Sequence, residues 1–396
     1  MQLSNRVQNL AESETLAMSR RANELKDKGV DVINMSLGEP DFKTPDFIKR
    51  AAKEAIDKDF SYYTPVPGYK DLQEAIARKF KRDNGLDYKP NQIVTSTGAK
   101  QSIINVIMAL VNPGDEVVLP APYWVSYAEM VTLFDGKVVE LKTGIETDFK
   151  LTPALLEKSI TPKTKAFLFS SPCNPTGTTY TENELRALGE VFKKHPHVVI
   201  ISDEIYEHIN FQGKTFSLAA IPELFDRTVT VNGVSKGFAM TGWRLGYIGA
   251  PKAIADACVK IQGQFTSGAC SITQKAVIAA MDVDPSEIAP MREEFRKRRD
   301  LIVKLFKEIP HVEVNHPEGA FYLFPKVNKY FGKTDGKTTI TDAKHLCLWL
   351  LDEAHVALTP GGSFGAPDYF RLSYATSEAK ITEAVNRIKT ALAKLH

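Results

Sequence analysis

The sequence has little cysteine and no pattern in what it has. Its four cysteines, Cys173, Cys258, Cys270 and Cys347, form no CxxC pair and no zinc spacing. That excludes a disulfide framework, points to a reducing compartment and leaves no metal site to expect. An excess of one charge is also missing. Fifty basic and 48 acidic side chains leave a net charge of +2, so no global field recommends nucleic acid or a charged membrane as a partner. No window approaches ~18 uninterrupted apolar residues, which excludes a transmembrane helix. The first ten residues lack the apolar core of a signal peptide. No repeat, low-complexity tract or long charge block appears. These absences lead to the expectation of a cytoplasmic protein. Its 396 residues and 43% hydrophobic content suffice for two or three domains with sizeable cores.

What is present is an alternation. Apolar, β-branched runs predict strands at 92–97, 115–119, 137–141, 165–169, 198–201 and 228–231, and helical periods separate several of them, at 98–111, 123–134 and 182–194. Such alternation predicts an α/β fold with a mainly parallel sheet covered on both faces. After about residue 285 the texture changes. One long charge-rich helix is predicted over 287–309, then short strands at 321–324, 356–358 and 370–373. A last helix is capped by Ser377, with an apolar stripe at Ile381, Val385, Ile388, Leu392 and Leu395. The expected division is an N-terminal segment (1–44, with a helix near Ser13 to Lys28) packing on the small domain or a partner subunit, a large domain (45–285), and a small α+β domain (286–396).

Ligands of parallel sheets gather at the C-terminal strand ends. Three such ends carry polar clusters: Ser170 to Gly177, Ser202 to Tyr206, and the segment around Lys236. Asn174, Asp203 and Lys236 follow one another at about one strand-plus-helix unit of ~30 residues, which puts them and Tyr206 on one rim. The turn Thr97-Gly98-Ala99-Lys100 opens a helix whose free N–H groups suit an anion. Taken singly, each has an ordinary alternative: Asn174 shaping a turn, Asp203 capping a helix, Tyr206 filling a core, Lys236 solvated at the surface.

Eight segments in sequence carry a resemblance: Ser36-Leu-Gly-Glu-Pro-Asp41, Tyr63-Thr-Pro-Val-Pro-Gly68, Thr97-Gly-Ala-Lys100, Pro122-Tyr-Trp124, Asn174-Pro-Thr-Gly177, Asp203-Glu-Ile-Tyr206, Ser235-Lys236 with Met240-Thr-Gly-Trp-Arg244, and Arg371-Leu-Ser-Tyr374. In order and spacing the chain resembles the fold-type I, pyridoxal 5'-phosphate (PLP) dependent class I aminotransferases, in particular the aspartate aminotransferase group and its bacterial I-beta-like branch. The resemblance implies PLP as cofactor and a homodimer with active sites at the subunit interface. It implies amino-group transfer between an L-amino acid, aspartate first, and a 2-oxo acid such as 2-oxoglutarate, by a ping-pong mechanism.

The resemblance also implies roles. Lys236 matches the lysine that links covalently to the cofactor and then carries the substrate's Cα proton. Asp203 matches the partner of the pyridine nitrogen, and Asn174 and Tyr206 the donors to the ring 3-oxygen. Trp124 resembles the aromatic on the ring face. Gly98 and Ala99 (through backbone N–H groups), Lys100, Ser235 and Arg244 resemble the phosphate site, with Tyr63 reaching the phosphate from the other subunit. Arg371 matches the fork that grips the substrate α-carboxylate, where lysine would not substitute. Gly38 resembles a backbone donor beside it. Apart from the resemblance, Arg371 alone would read as half of a surface ion pair.

The second carboxylate of a dicarboxylate substrate needs a further cation. The N-terminal segment that would help supply it carries Glu12 and Glu14, with Arg6 and Arg20 the nearest cations. Aromatic, broad-range or prephenate transamination therefore stays open, as does a PLP lyase on the same scaffold. An aminotransferase-like transcription regulator ranks below both, because the chain has neither a spare DNA-binding segment nor a basic stripe.

Overall fold

Strand-forming runs pair in the computed structural model, which describes residues 3–12 and 14–396, into one large sheet and two small ones. The strands are β1 (Ile33–Asn34), β2 (Ile93–Ser96), β3 (Glu116–Ala121), β4 (Lys137–Lys142), β5 (Thr164–Ser170), β6 (Val199–Asp203), β7 (Thr228–Gly233), β8 (Gly246–Gly249), β9 (Tyr322–Leu323), β10 (Val356–Ala357), β11 (Thr359–Pro360) and β12 (Phe370–Ser373). Seven of them form the central sheet in the order β2-β8-β7-β6-β5-β3-β4. The pairs from β7 through β6, β5 and β3 to β4 are parallel. Only β8 runs antiparallel to its neighbours. The sheet is the expected mainly parallel one, covered on both faces by helices with apolar cores between.

The strand β8 was not legible in the sequence, because two of its four residues are glycine, which weakens a strand signal. The structure explains both glycines. A Cβ at Gly246 would overlap the backbone of Gly98 and Ala99, and one at Gly249 would meet the Tyr88 ring at 2.5 Å. The expected helix at 123–134 is shorter, Ser126–Leu133. Its leading residues are drawn off, with the Tyr123 N–H donating to the Phe364 carbonyl. The strand expected at 198–201 extends to Asp203, so that carboxylate sits on the strand's last residue.

Beyond the sheet, the long helix runs Ala289–Lys307, preceded by a 3-10 turn at Pro285–Ile288. The final helix, Glu378–Leu392, starts at Ser377, whose side chain accepts from the Lys380 N–H. The predicted stripe from Ile381 to Leu395 is buried along its whole length. Ser13 lies outside the described residues, and the first long helix is described over Glu14–Asp27. Met18 and Ala22 of that helix join Ile33 and Met35 in a single core with Phe295, Phe306, Leu350 and Ile388. β1 pairs with β10, so the N-terminal segment and the C-terminal part of the chain are built together. Among the described residues, no helix is long and apolar enough to cross a membrane.

Candidate active site

The C-terminal ends of β5, β6 and β7 open on a cleft of about 290 Å³. Parallel strands aim their carboxyl ends the same way, so residues far apart in sequence meet there. Asn174, Asp203, Tyr206, Ser235 and Lys236 line it, as do Gly38, Ala99, Lys100, Trp124, Arg244 and Arg371. Gly98 lies directly behind the lining, since a Cβ on it would meet Arg244 Nη2 at 2.5 Å.

Asp203 is buried. Its Oδ1 accepts from the Ile205 N–H at 3.2 Å and its Oδ2 from the Tyr127 hydroxyl at 2.6 Å. It thus caps the turn that follows the strand and still faces the cleft. Burial raises its pKa to about 6, against the opposing pull of Tyr127, the Ile205 N–H and Lys236. Tyr206 is buried with its hydroxyl 2.7 Å from that of Tyr322. Burial, then Tyr322, pushes its phenol well above the usual range.

Lys236 is not a solvated surface lysine. It is partly buried, and its ammonium donates to the Gly38 carbonyl at 2.5 Å. It has no carboxylate partner among the described residues. Burial, then the charge of Arg371, lowers it to about 8, with Glu39 pulling the other way. Gly38 thus presents its carbonyl to Lys236. A Cβ there would overlap the Tyr322 hydroxyl, so only glycine fits.

Arg371, the second residue of β12, is 2% exposed, which overturns the reading of it as a surface ion pair. Its Nη1 donates to Asn174 Oδ1 at 2.9 Å and its Nη2 to the Ser36 carbonyl at 2.5 Å. Its Nε has no partner. Tyr322 and Phe364 face the guanidinium at 4.7 and 5.0 Å. Desolvation lowers even this group's pKa.

At the far end of the cleft, the Ala99–Leu110 helix begins. Its first N–H groups, on Ala99 and Lys100, have no intrahelical acceptor. Gly98 differs from expectation. At φ 85° its own N–H turns back to the Ser96 carbonyl at 2.7 Å, so the turn offers Ala99 and Lys100 rather than Gly98 as free donors. Arg244, at the open edge, donates to the carbonyls of Thr241 and Thr97. The Lys100 ammonium lies 4.9 Å from the Trp124 ring centre. Partial desolvation, then Arg244, holds it below the usual lysine range although the residue as a whole is exposed.

Tyr63 is not brought into the cleft of its own chain. It is 99% exposed and borders a separate depression with residues 266–271. The two N-terminal cations are committed elsewhere, Arg6 to Asp135 and Arg20 to Glu12. That segment instead lines the cleft with Thr15 and Leu16, and the Thr15 hydroxyl is buried without a partner. Tyr127 and Tyr322 also line the cleft, beyond the residues expected from the sequence. A signal existed for Tyr127, which lies three residues beyond Trp124, the spacing of neighbours on one face of the helix expected at 123–134. None existed for Tyr322, whose strand reaches the cleft only through the packing of β9 on β12.

The family model for aminotransferase classes I and II matches residues 30–388. The chain is 49% identical over 395 residues to the bifunctional aspartate aminotransferase and glutamate/aspartate-prephenate aminotransferase of Petunia hybrida, covering 98% of this chain and 82% of that protein. It is 48% identical to the aspartate/prephenate aminotransferase of Cereibacter sphaeroides, with 99% of each covered. Among solved structures, the aspartate aminotransferase of Rhizobium meliloti superposes with a TM-score of 0.96 at 42% identity over the whole of both chains. That of Thermus thermophilus with maleate gives 0.93 at 38%, over 99% of this chain and all of that one. The chain therefore belongs to the class I and II aminotransferases, as a PLP-dependent transaminase.

Proposed function

We infer that the enzyme moves an amino group between L-aspartate and a 2-oxo acid such as 2-oxoglutarate in two half-reactions at this cleft. The observation that carries the substrate class is Arg371. A buried guanidinium with one unpartnered nitrogen and no carboxylate among the described residues is costly. A planar substrate carboxylate relieves that cost with paired, charge-assisted bonds. Gly38 offers a backbone N–H beside it.

The residues present fit PLP. A carboxylate (Asp203), two neutral hydrogen-bonding side chains (Asn174, Tyr206), an aromatic face (Trp124) and an amine (Lys236) surround one space. Beyond it lie the free N–H groups of Ala99 and Lys100, and Arg244 without an acidic partner among the described residues. When bound, PLP supplies an electron sink for the substrate Cα. Asp203 then holds the ring-nitrogen proton, and Asn174 and Tyr206 hold the 3-oxygen. Gly98, Ala99, Lys100, Ser235 and Arg244 form the phosphate end, where Gly98 serves by lacking a side chain. Lys236 would take the Cα proton and return it to the cofactor carbon on the other side of the amino nitrogen, a 1,3-transfer. Its depressed pKa of about 8 leaves a usable fraction of neutral amine near neutrality.

Lys100 supports aspartate as the donor. It gives the phosphate end its backbone N–H, which leaves its ammonium, 4.9 Å from the Trp124 ring centre, for a second carboxylate. Transfer to prephenate is the second reading, favoured by relatives named aspartate/prephenate aminotransferases. In this reading the cleft lies between a large unit (45–285) and a small one (286–396) with the N-terminal segment, and Tyr63 reaches the phosphate from a second copy.

A half-reaction screen tests the proposal. Each amino acid is mixed with the PLP form and the rate of loss of the cofactor's visible absorption recorded. Aspartate is expected to react fastest, and a 2-oxo acid should accumulate in step with the aminated cofactor. Release of ammonia or another fragment in its place would identify a lyase.

A further inference from the structure

The roles above leave Tyr127, a buried group in contact with them, unused. Tyr127 sits on the Ser126–Leu133 helix, its ring perpendicular to that of Trp124 with centroids 5.5 Å apart. Its hydroxyl donates to Asp203 Oδ2 at 2.6 Å. The Ile205 N–H takes the other carboxylate oxygen at 3.2 Å. Asp203 is thus held by two donors from two different elements, which fixes the plane of its carboxylate.

The other groups near Asp203 do not replace this contact. Lys236, from the segment after β7, favours the ionised carboxylate but donates its own hydrogen bond to Gly38. Cys173, after β5, has its thiol pushed up by burial and stays neutral. Tyr206, on Asp203's own segment, is bonded to Tyr322. Burial, then Asp203, also pushes the Tyr127 phenol well above its usual range, so it stays protonated and donates to Asp203. A buried carboxylate without such a donor drifts toward its neutral form.

We propose that Tyr127 is a positioning residue acting through Asp203: its phenol keeps the carboxylate ionised and in plane, and so sets how firmly the site holds the proton of the cofactor's ring nitrogen. This rests on the reading of Asp203 as that nitrogen's partner. Tyr127 also links Asp203 to Trp124, through its hydroxyl bond to the one and its edge-on ring contact with the other.

Tyr127→Phe keeps the ring and its contact with Trp124 and removes only the donor. The apoenzyme of this variant is titrated with PLP, and the holoenzyme's visible absorption is followed against pH. Loss of a hydrogen bond to a charged group should weaken PLP binding about tenfold. With Asp203 less able to leave the proton on the ring nitrogen, the ring withdraws fewer electrons. The spectral transition should then move to higher pH, by roughly half a unit or more. Apoenzyme melting is measured alongside. A variant that binds PLP within about twofold of wild type and titrates at the same pH overturns the proposal, whether or not its melting temperature falls, because Tyr127 would then serve packing alone. Asp203→Asn separates the two layers. If Asp203→Asn binds PLP as wild type does, the reading of Asp203 itself fails and takes this proposal with it. If only Tyr127→Phe is silent, the reading of Asp203 stands and the positioning role falls.

Discussion

Lys236 and Asp203 have pKa values shifted toward each other, the lysine down to about 8 and the carboxyl up to about 6. In the proposed roles, binding the cofactor needs an ionised Asp203 and a neutral Lys236 amine. PLP affinity for the apoenzyme should therefore fall as pH drops below about 6, and the rate of covalent attachment should climb toward about 8. Titration of apoenzyme with PLP across this range checks both limbs, and Asp203→Asn should erase the lower limb while leaving the upper. The stability linkage has its own signs. Lys236 binds fewer protons folded than unfolded between about 8 and 10.5, so its penalty on the apoprotein is full below that window and fades as pH rises through it. Asp203 binds more protons folded than unfolded between 3.8 and about 6, so its penalty grows as pH rises through that window. Lys236→Ala should lose the bound-cofactor absorption and essentially all transamination, read by spectrum and coupled assay. Arg371→Lys keeps the charge and loses the fork. We expect KM for aspartate to rise by about ten- to a hundredfold, from the loss of a bidentate, charge-assisted pair, with PLP affinity unchanged.

Among secondary-structure elements, close approach matters more than propensity. The strand β8 runs against the start of the Ala99–Leu110 helix, and Gly246 is the point of contact. Gly246→Ala should destabilise the protein by about 1–3 kcal/mol or more, because the overlap is with backbone that cannot rotate away. It should also weaken PLP binding by moving the phosphate turn, and melting with and without cofactor measures both effects. At the other end of the chain, Ser377→Ala removes a cap remote from the cleft. It should cost about 1 kcal/mol and leave kcat/KM as it was. Two helical periods were readable because their signals are local: Glu182–Lys194 carries a capping box between Thr181 and Glu184, and Glu378–Leu392 its cap and stripe. Strands β1 and β11, two residues each, carry almost no period of their own, whereas β9 and β10 fall inside the short runs expected at 321–324 and 356–358.

For the whole molecule, exposed aromatics mark a surface suited to a second copy of the chain. Tyr62 is 84% exposed, Tyr63 99% and Phe265 67%, more large apolar surface than isolated exposure explains. Sedimentation should report twice the 44.0 kDa chain mass. Tyr63→Phe should preserve that assembly and lower PLP affinity. An active isolated monomer would exclude the contribution of Tyr63 across subunits.

The sequence by itself determined the alternation that makes a parallel sheet and the strand ends on which Asn174, Asp203 and Lys236 stand, because period and spacing are local properties of a chain. It also determined, by resemblance, which residues to look for around them. Only the tertiary structure decided that Arg371 is buried, that a Cβ at Gly98 would meet Arg244, that Arg6 and Arg20 pair with Asp135 and Glu12, and that Tyr127 and Tyr322 stand behind the residues they touch. Those outcomes depend on packing between segments up to 335 residues apart, as in the bond from Arg371 to Ser36. Burial and the absence of a counter-charge are properties of a neighbourhood, and no stretch of sequence contains one.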